Sequence, residues 1–140
     1  MSPLQRITER VTRLGDPENP STPRPLVTVD EFFSGNDVVG SIGCNLASQP
    51  LPDEFYMLFR EISQRPDVKD VRMKITAFDM AEWPFSDTVY IMTSAPLEEV
   101  QRWFPDRLRP DELWEGFLAD EKYEPYQIPA GVRPVAAWWD

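Results

Sequence analysis

A chain of 140 residues has the size of one ordinary domain, and 41% hydrophobic with 12% aromatic residues is too apolar for a disordered chain. The formal net charge of −10 disfavours direct binding to nucleic acid phosphates and to anionic membranes. The absence of histidine excludes Ser-His-Asp and Cys-His catalysis and His-containing zinc sites within the chain, and a single cysteine excludes an internal disulfide.

The first 25 residues differ from the rest in pattern and charge. Apolar residues recur at spacings of three and four across residues 3–14, which predicts a short amphipathic helix. Four prolines within residues 16–25 predict an extended linker. Four arginines against three acidic residues make this segment slightly basic, so the acidity belongs to the remainder. We predict an N-terminal helix and proline-rich linker over 1–25 and a single α+β domain over 26–140.

Hydrophobic periodicity predicts the elements that follow. Thr28 and Glu31 have capping-box spacing, which predicts a helical turn over residues 30–33. The predicted strands are 26–29, 38–45, 71–77, 88–93 and 132–139, the predicted helices are 53–65, 96–104 and 110–118, and residues 120–131 are predicted as loop.

From residue 38 onwards the order of elements is β-α-β-β-α-(α)-β, which is typical of the ferredoxin-like split βαβ arrangement. This fold class has an antiparallel sheet with helices on one face. It places the last strand at an edge, where Pro134 is tolerated. The alternative is another α+β sheet in which residues 26–29 add a fifth strand.

The loop over residues 79–87 is the predicted binding site. It carries an aromatic pair, Trp83 and Phe85, beside three carboxylates, Asp79, Glu82 and Asp87. An accessible aromatic side chain with an acidic rim favours recognition of a basic protein, because such aromatics are frequent hot spots of interfaces. In the alternative, Trp83 folds down onto the sheet and contributes to the core.

Other chemistry-bearing residues favour structural roles. The glycine-rich segment around Cys44 has no basic residue within ten positions that could activate the thiol, so we predict a buried structural cysteine. The many Asp/Glu pairs lack EF-hand spacing and are typical of solvated helix faces and helix N-termini. We therefore predict no catalytic residue, no metal site and no cofactor.

Four segments carry a family resemblance: FFSGNDVVGSIGCNL (32–46), RPDVKDV (65–71), WPFSDTVYIMTSAP (83–96) and AAWWD (136–140). They resemble a family of small acidic bacterial proteins of unknown function, and the likeness spans residues 26–140. The resemblance implies no activity and no site residue. Bacterial immunity proteins are similar in kind only, since they too are small, acidic, cytoplasmic and rich in exposed aromatics.

These observations predict a cytoplasmic protein-binding module with a basic protein partner, in one version a toxin-neutralising immunity protein. No apolar run is long enough for a membrane span, and the N-terminus lacks the apolar core of a signal peptide. Two alternatives stay open: a carboxylate- or metal-dependent enzyme, and a structural or assembly subunit. In the latter, a second copy would pair through the N-terminal helix or an edge strand.

Overall fold

The computed structural model describes all 140 residues as an α+β protein with one five-stranded antiparallel sheet. The strand order is β1-β2-β3-β5-β4. Four α-helices, one 3-10 helix and five strands follow in chain order: α1 Pro3–Thr12, β1 Leu26–Thr28, α2 Val29–Phe33, α3 Pro52–Ser63, β2 Val68–Lys74, β3 Thr88–Thr93, α4 Leu97–Arg102, a 3-10 helix Asp106–Leu108, β4 Glu112–Glu115 and β5 Arg133–Trp138. The helices are all too short and too polar to traverse a lipid bilayer.

The main core lies between the helices and one face of the sheet. Alternate strand residues such as Val71, Ile91 and Val135 point into it, as the two-residue period of a strand requires. From the other side, α3 contributes Phe55 and Phe59, both fully buried. The α+β class and the antiparallel sheet with helices on one face are thereby confirmed.

The strand order differs from the predicted split βαβ arrangement and agrees with the five-stranded alternative. β1 is an edge strand beside β2, whereas β5 lies inside the sheet between β3 and β4. The Pro134 carbonyl accepts a hydrogen bond from the Gly116 N–H at 2.9 Å. Because the nitrogen and the carbonyl of one residue face the same neighbouring strand, the Pro134 nitrogen, which has no N–H, points toward β4 and not toward β3. β4 ends at Glu115, and the proline therefore costs no bond to β3.

Two predicted elements are wrong. Residues 38–45 form a turn-rich loop instead of a strand, because Gly40 and Gly43 adopt φ of 90° and 64°. A Cβ on Gly43 would lie 2.6 Å from the Phe55 ring, so the loop packs its bare backbone against α3. Cys44 beside it is exposed, contrary to the prediction of a buried thiol. The helix predicted over residues 110–118 is also wrong. These residues contain strand β4, which ends just before Gly116, where φ is 91°.

The N-terminal segment packs into the same core as the rest of the chain. Helix α1 buries Ile7 and Val11 in the main cluster. In the linker, the buried guanidinium of Arg24 donates to four backbone carbonyls, at Pro17 (2.7 Å), Thr22 (2.9 Å), Asn19 (3.2 Å) and Thr76 (3.2 Å). These bonds tie the turns of the linker to the sheet, so the prolines shape a fixed connection.

The second face of the sheet carries no helix. It is covered by residues 116–132, a segment between β4 and β5 that contains no helix and no strand and that we call the strap. The face beneath it shows Tyr90 and Met92 from β3 and Ala136 from β5, against which Phe117 and Tyr123 of the strap pack. Two layers of different chemistry thus enclose the sheet.

Candidate functional site

The predicted binding loop is anchored by its tryptophan. Trp83 is only 4% exposed, and its indole Nε1 donates to the Phe32 carbonyl oxygen of α2 at 3.0 Å. The loop therefore follows the alternative in which Trp83 folds onto the core. A buried indole cannot offer contact area to a partner, so the aromatic anchor proposed from the sequence is part of the fold.

Phe85 closes the base of the same loop. Its N–H donates to the Ala77 carbonyl at 2.8 Å, and its carbonyl accepts from the Thr76 N–H at 2.8 Å. The Phe85 side chain is half-buried. These bonds leave residues 78–82 as the projecting tip.

The tip of the loop is acidic and carries an exposed methionine. Asp79 and Glu82 are exposed, and Met80 between them is 60% exposed. Glu18 of the linker lies alongside, since its carboxylate accepts the Phe78 N–H at 2.7 Å. We call Glu18, Asp79, Met80 and Glu82 the acidic loop surface; it joins segments 60 residues apart in the chain.

Asp87 faces away from this surface. Its Oδ1 accepts from the hydroxyls of Thr76 at 2.7 Å and Thr88 at 2.8 Å, and it lies 3.5 Å from Lys74 Nζ. The structure therefore separates the five predicted site residues into three groups. Asp79 and Glu82 share the exposed tip, Trp83 and Phe85 hold the loop, and Asp87 belongs to a polar cluster under the strap.

That polar cluster centres on a buried lysine. Lys74 of β2 is 6% exposed, and its Nζ lies 3.2 Å from Glu121 of the strap as well as near Asp87. A buried ammonium needs paired carboxylates to offset its desolvation, and here one comes from the residue just before β3 and one from the strap. The ion pairs consequently fasten the strap onto the second face.

Tyrosines extend the cluster across the sheet. The hydroxyls of Tyr90 and Tyr123 share a hydrogen bond of 2.7 Å, and Tyr126 donates to Asp70 Oδ2 at 2.6 Å. Burial raises the pKa of the Tyr90 hydroxyl, with the bond to Tyr123 acting in the same direction. Burial also raises the pKa of Tyr126, as does its bond to Asp70. All of these phenols are neutral donors over the physiological range.

The strand pattern of β2 does not predict this polar cluster. Arg72 and Lys74 alternate with apolar residues, and such a pattern predicts a face of the strand turned to water. The signal that could have found it is the aromatic content of the strap, with Phe117, Tyr123 and Tyr126 in a segment that has no periodicity. Aromatics in a long loop indicate that the loop covers something.

The arrangement holds no metal-ligating constellation. No three Asp, Glu or Cys side chains lie close enough together to hold a metal ion. The exposed thiol of Cys44 stands alone, without a second cysteine in the chain.

Comparison with known proteins identifies the family. The uncharacterized protein YfbO family matches residues 2–137. The chain is 44% identical to the uncharacterized protein YfbO of Escherichia coli (strain K12) over 140 residues, which is the full length of both chains. No solved structure matches. The resemblance to a bacterial family of unknown function is thus confirmed, and the chain belongs to the uncharacterized protein YfbO family.

Proposed function

We propose that this protein is a protein-binding module that recognises a basic partner through the acidic loop surface. The observation that carries the proposal is Met80, an exposed apolar side chain between the two exposed carboxylates of Asp79 and Glu82. Methionine adapts its shape to a partner, and a rim of one charge sign selects a partner of the opposite sign.

The rigidity of the loop supports the same function. Trp83 fixes one side of the tip to α2, and the Phe85 backbone bonds close its base. A tip held in this way loses less conformational entropy on binding than a free loop would, which favours affinity. The net charge of −10 adds long-range attraction that accelerates encounter with a basic surface.

A narrower version of the proposal is a toxin-neutralising immunity protein. In that case the basic partner is itself an enzyme, and binding of the acidic loop surface blocks its activity. The assembly alternative is less well supported, because Ile7 and Val11 of α1 are already buried in the protein's own core. The metal-dependent enzyme receives no support from the arrangement of carboxylates.

A charge-matched pair of variants tests the proposal. The double variant Asp79→Lys, Glu82→Lys reverses the charge of the tip, and Glu61→Lys, Glu98→Lys makes the same charge change on α3 and α4. Neither control glutamate takes part in a salt bridge; the ion pairs of the chain lie elsewhere. Affinity-tagged forms of all three proteins are used to capture partners from a bacterial lysate, followed by mass spectrometry.

The captured partner is then purified and titrated against each variant. We expect at least about a 10-fold loss of affinity for the tip variant, equivalent to about 1.4 kcal/mol, and much less for the control. Affinity should also fall as ionic strength rises, since the contributing charges are exposed. Equal effects of the two double variants, or an acidic partner, would contradict this placement of the interface.

A further inference from the structure

The two edges of the sheet differ in how their backbone groups are satisfied. At the β1 edge, Arg10 Nη2 donates to the Leu26 carbonyl at 3.2 Å, and the Glu124 carboxylate accepts the Leu26 N–H. The next residue but one, Thr28, donates its N–H to Glu31 Oε1 at 2.8 Å. Side chains therefore close this edge against the addition of another strand.

The β4 edge is open. β4 pairs only with β5. The Gly116 N–H bonds to the Pro134 carbonyl, so the backbone groups of Gly116 and of every second residue before it point toward β5. Because inward and outward groups alternate in an antiparallel pair, the N–H and C=O groups of Leu113 and Glu115 point away from β5. No backbone or side-chain group of the protein bonds to them from outside. These four groups are a template for strand addition.

The charge of this edge decides which strand fits it. Glu112 and Glu115 are exposed; Glu115 pairs with Arg133 at 2.8 Å, and Glu112 has no ion pair. Asp111 stands next to them, also exposed. A second copy pairing through β4 would gather four glutamates along one short edge, and like charges on paired strands are destabilising. Basic side chains would instead complement the carboxylates.

We propose that the outer edge of β4 binds an extended, basic segment of a partner protein as a sixth strand of the sheet. The bonds would run to the outward N–H and C=O groups of Leu113 and Glu115, and the unpaired carboxylate of Glu112 would select lysine or arginine. This surface is separate from the acidic loop surface, and either can be correct without the other.

The first test uses defined peptides on the full-length protein. The probe is an acetylated, amidated peptide of sequence KVKVKVK, and the charge-reversed peptide EVEVEVE is its control. In amide-resolved NMR titrations, we expect the Leu113 and Glu115 signals to shift and their hydrogen exchange to slow with the basic peptide only. Shifts confined to residues 78–82, or equal responses to both peptides, would overturn the proposal.

The second test separates backbone bonding from charge. Glu115→Pro removes one outward N–H without removing a bond to β5, whereas Glu115→Ala removes the same carboxylate and keeps the N–H. We expect about 10-fold weaker binding of the basic peptide by Glu115→Pro than by Glu115→Ala, the value of one hydrogen bond near 1.4 kcal/mol. Equal affinities of the two variants would refute strand addition.

A change in the peptide gives the same answer if the proline variant does not fold. One peptide is N-methylated at its valines and a second at the backbone nitrogens of its lysines, because these two sets of N–H groups point to opposite edges of a strand. Methylation removes donors from the peptide while its charge stays the same, and the unaltered protein is used. We expect the methylated peptide to lose at least about 10-fold in affinity when methylation is in the bonding register. Full affinity in both registers would show that charge alone binds the peptide, and the proposal would then be wrong.

Discussion

The substitution Trp83→Ala tests whether this tryptophan stabilises the fold or serves a binding surface. The indole is almost fully buried beneath the loop and donates to the Phe32 carbonyl. Truncation of a buried aromatic to alanine costs about 3–5 kcal/mol through lost transfer free energy and the cavity left behind. A chain of this length has a total stability of roughly 7–20 kcal/mol, so the variant loses a substantial part of it.

Two further variants make the measurement specific. Trp83→Phe keeps most of the apolar ring and loses the N–H, which predicts a cost of about 1–2 kcal/mol for the orphaned carbonyl and the lost volume. Met80→Ala changes an exposed side chain of the same loop and should stay within about 0.5 kcal/mol. Urea unfolding followed by far-ultraviolet circular dichroism gives all three values. A cost of Trp83→Ala no larger than that of Met80→Ala would refute the anchoring role.

The polar cluster under the strap yields two more predictions. Lys74→Met should lower the free energy of unfolding by roughly 3 kcal/mol, because Asp87 and Glu121 lose their buried cation. Lys69→Met, at an exposed position near the start of the same strand, should change it by less than about 0.5 kcal/mol. Urea titration of both variants checks this, and equal effects would contradict it. Burial raises the pKa of Tyr90 in the folded state, so the unfolded chain loses this proton at a lower pH than the folded protein does. The contribution of the neutral hydroxyl to the free energy of unfolding is therefore complete below a pH of about 10, and above it this free energy falls by about 1.4 kcal/mol per pH unit. Tyr90→Phe should flatten the decline above pH 10 in a pH series of urea titrations, and an unchanged slope would argue against the buried hydroxyl.

Elements with strong local signals could be predicted from the sequence. The capping box is an example: Thr28 Oγ1 accepts the Glu31 N–H at 3.0 Å, and Glu31 Oε1 accepts the Thr28 N–H at 2.8 Å. Both partners lie within one turn, so their spacing determines the bond. The apolar stripe of α3 and the alternation along β2 depend equally on neighbours within a few residues.

Strand order and the region of β4 depend on contacts that local patterns do not contain. Leu113, Trp114, Phe117 and Leu118 have the spacing of a helical face, yet the first two lie in a strand and the last two in the strap. Gly116 separates them, because its positive φ turns the chain away from β5. An apolar spacing read across such a glycine cannot distinguish one helix from a strand followed by a covering segment.

The candidate site shows the same division between local and distant information. The exposed carboxylates at the loop tip could be predicted, since charged residues in a loop rarely become buried. The burial of Trp83 could not, because its hydrogen-bond acceptor lies 51 residues earlier in α2. The sequence likewise groups Asp87 with its neighbours in the loop, although its partners are Lys74 of β2, Thr76 just beyond β2 and the adjacent Thr88 of β3. Contacts between distant parts of the chain form the Trp83 anchor and hold the strap on the sheet. The two surfaces that remain exposed, the loop tip and the β4 edge, are both acidic. A function that uses these two surfaces would require the buried polar groups only to hold them in place.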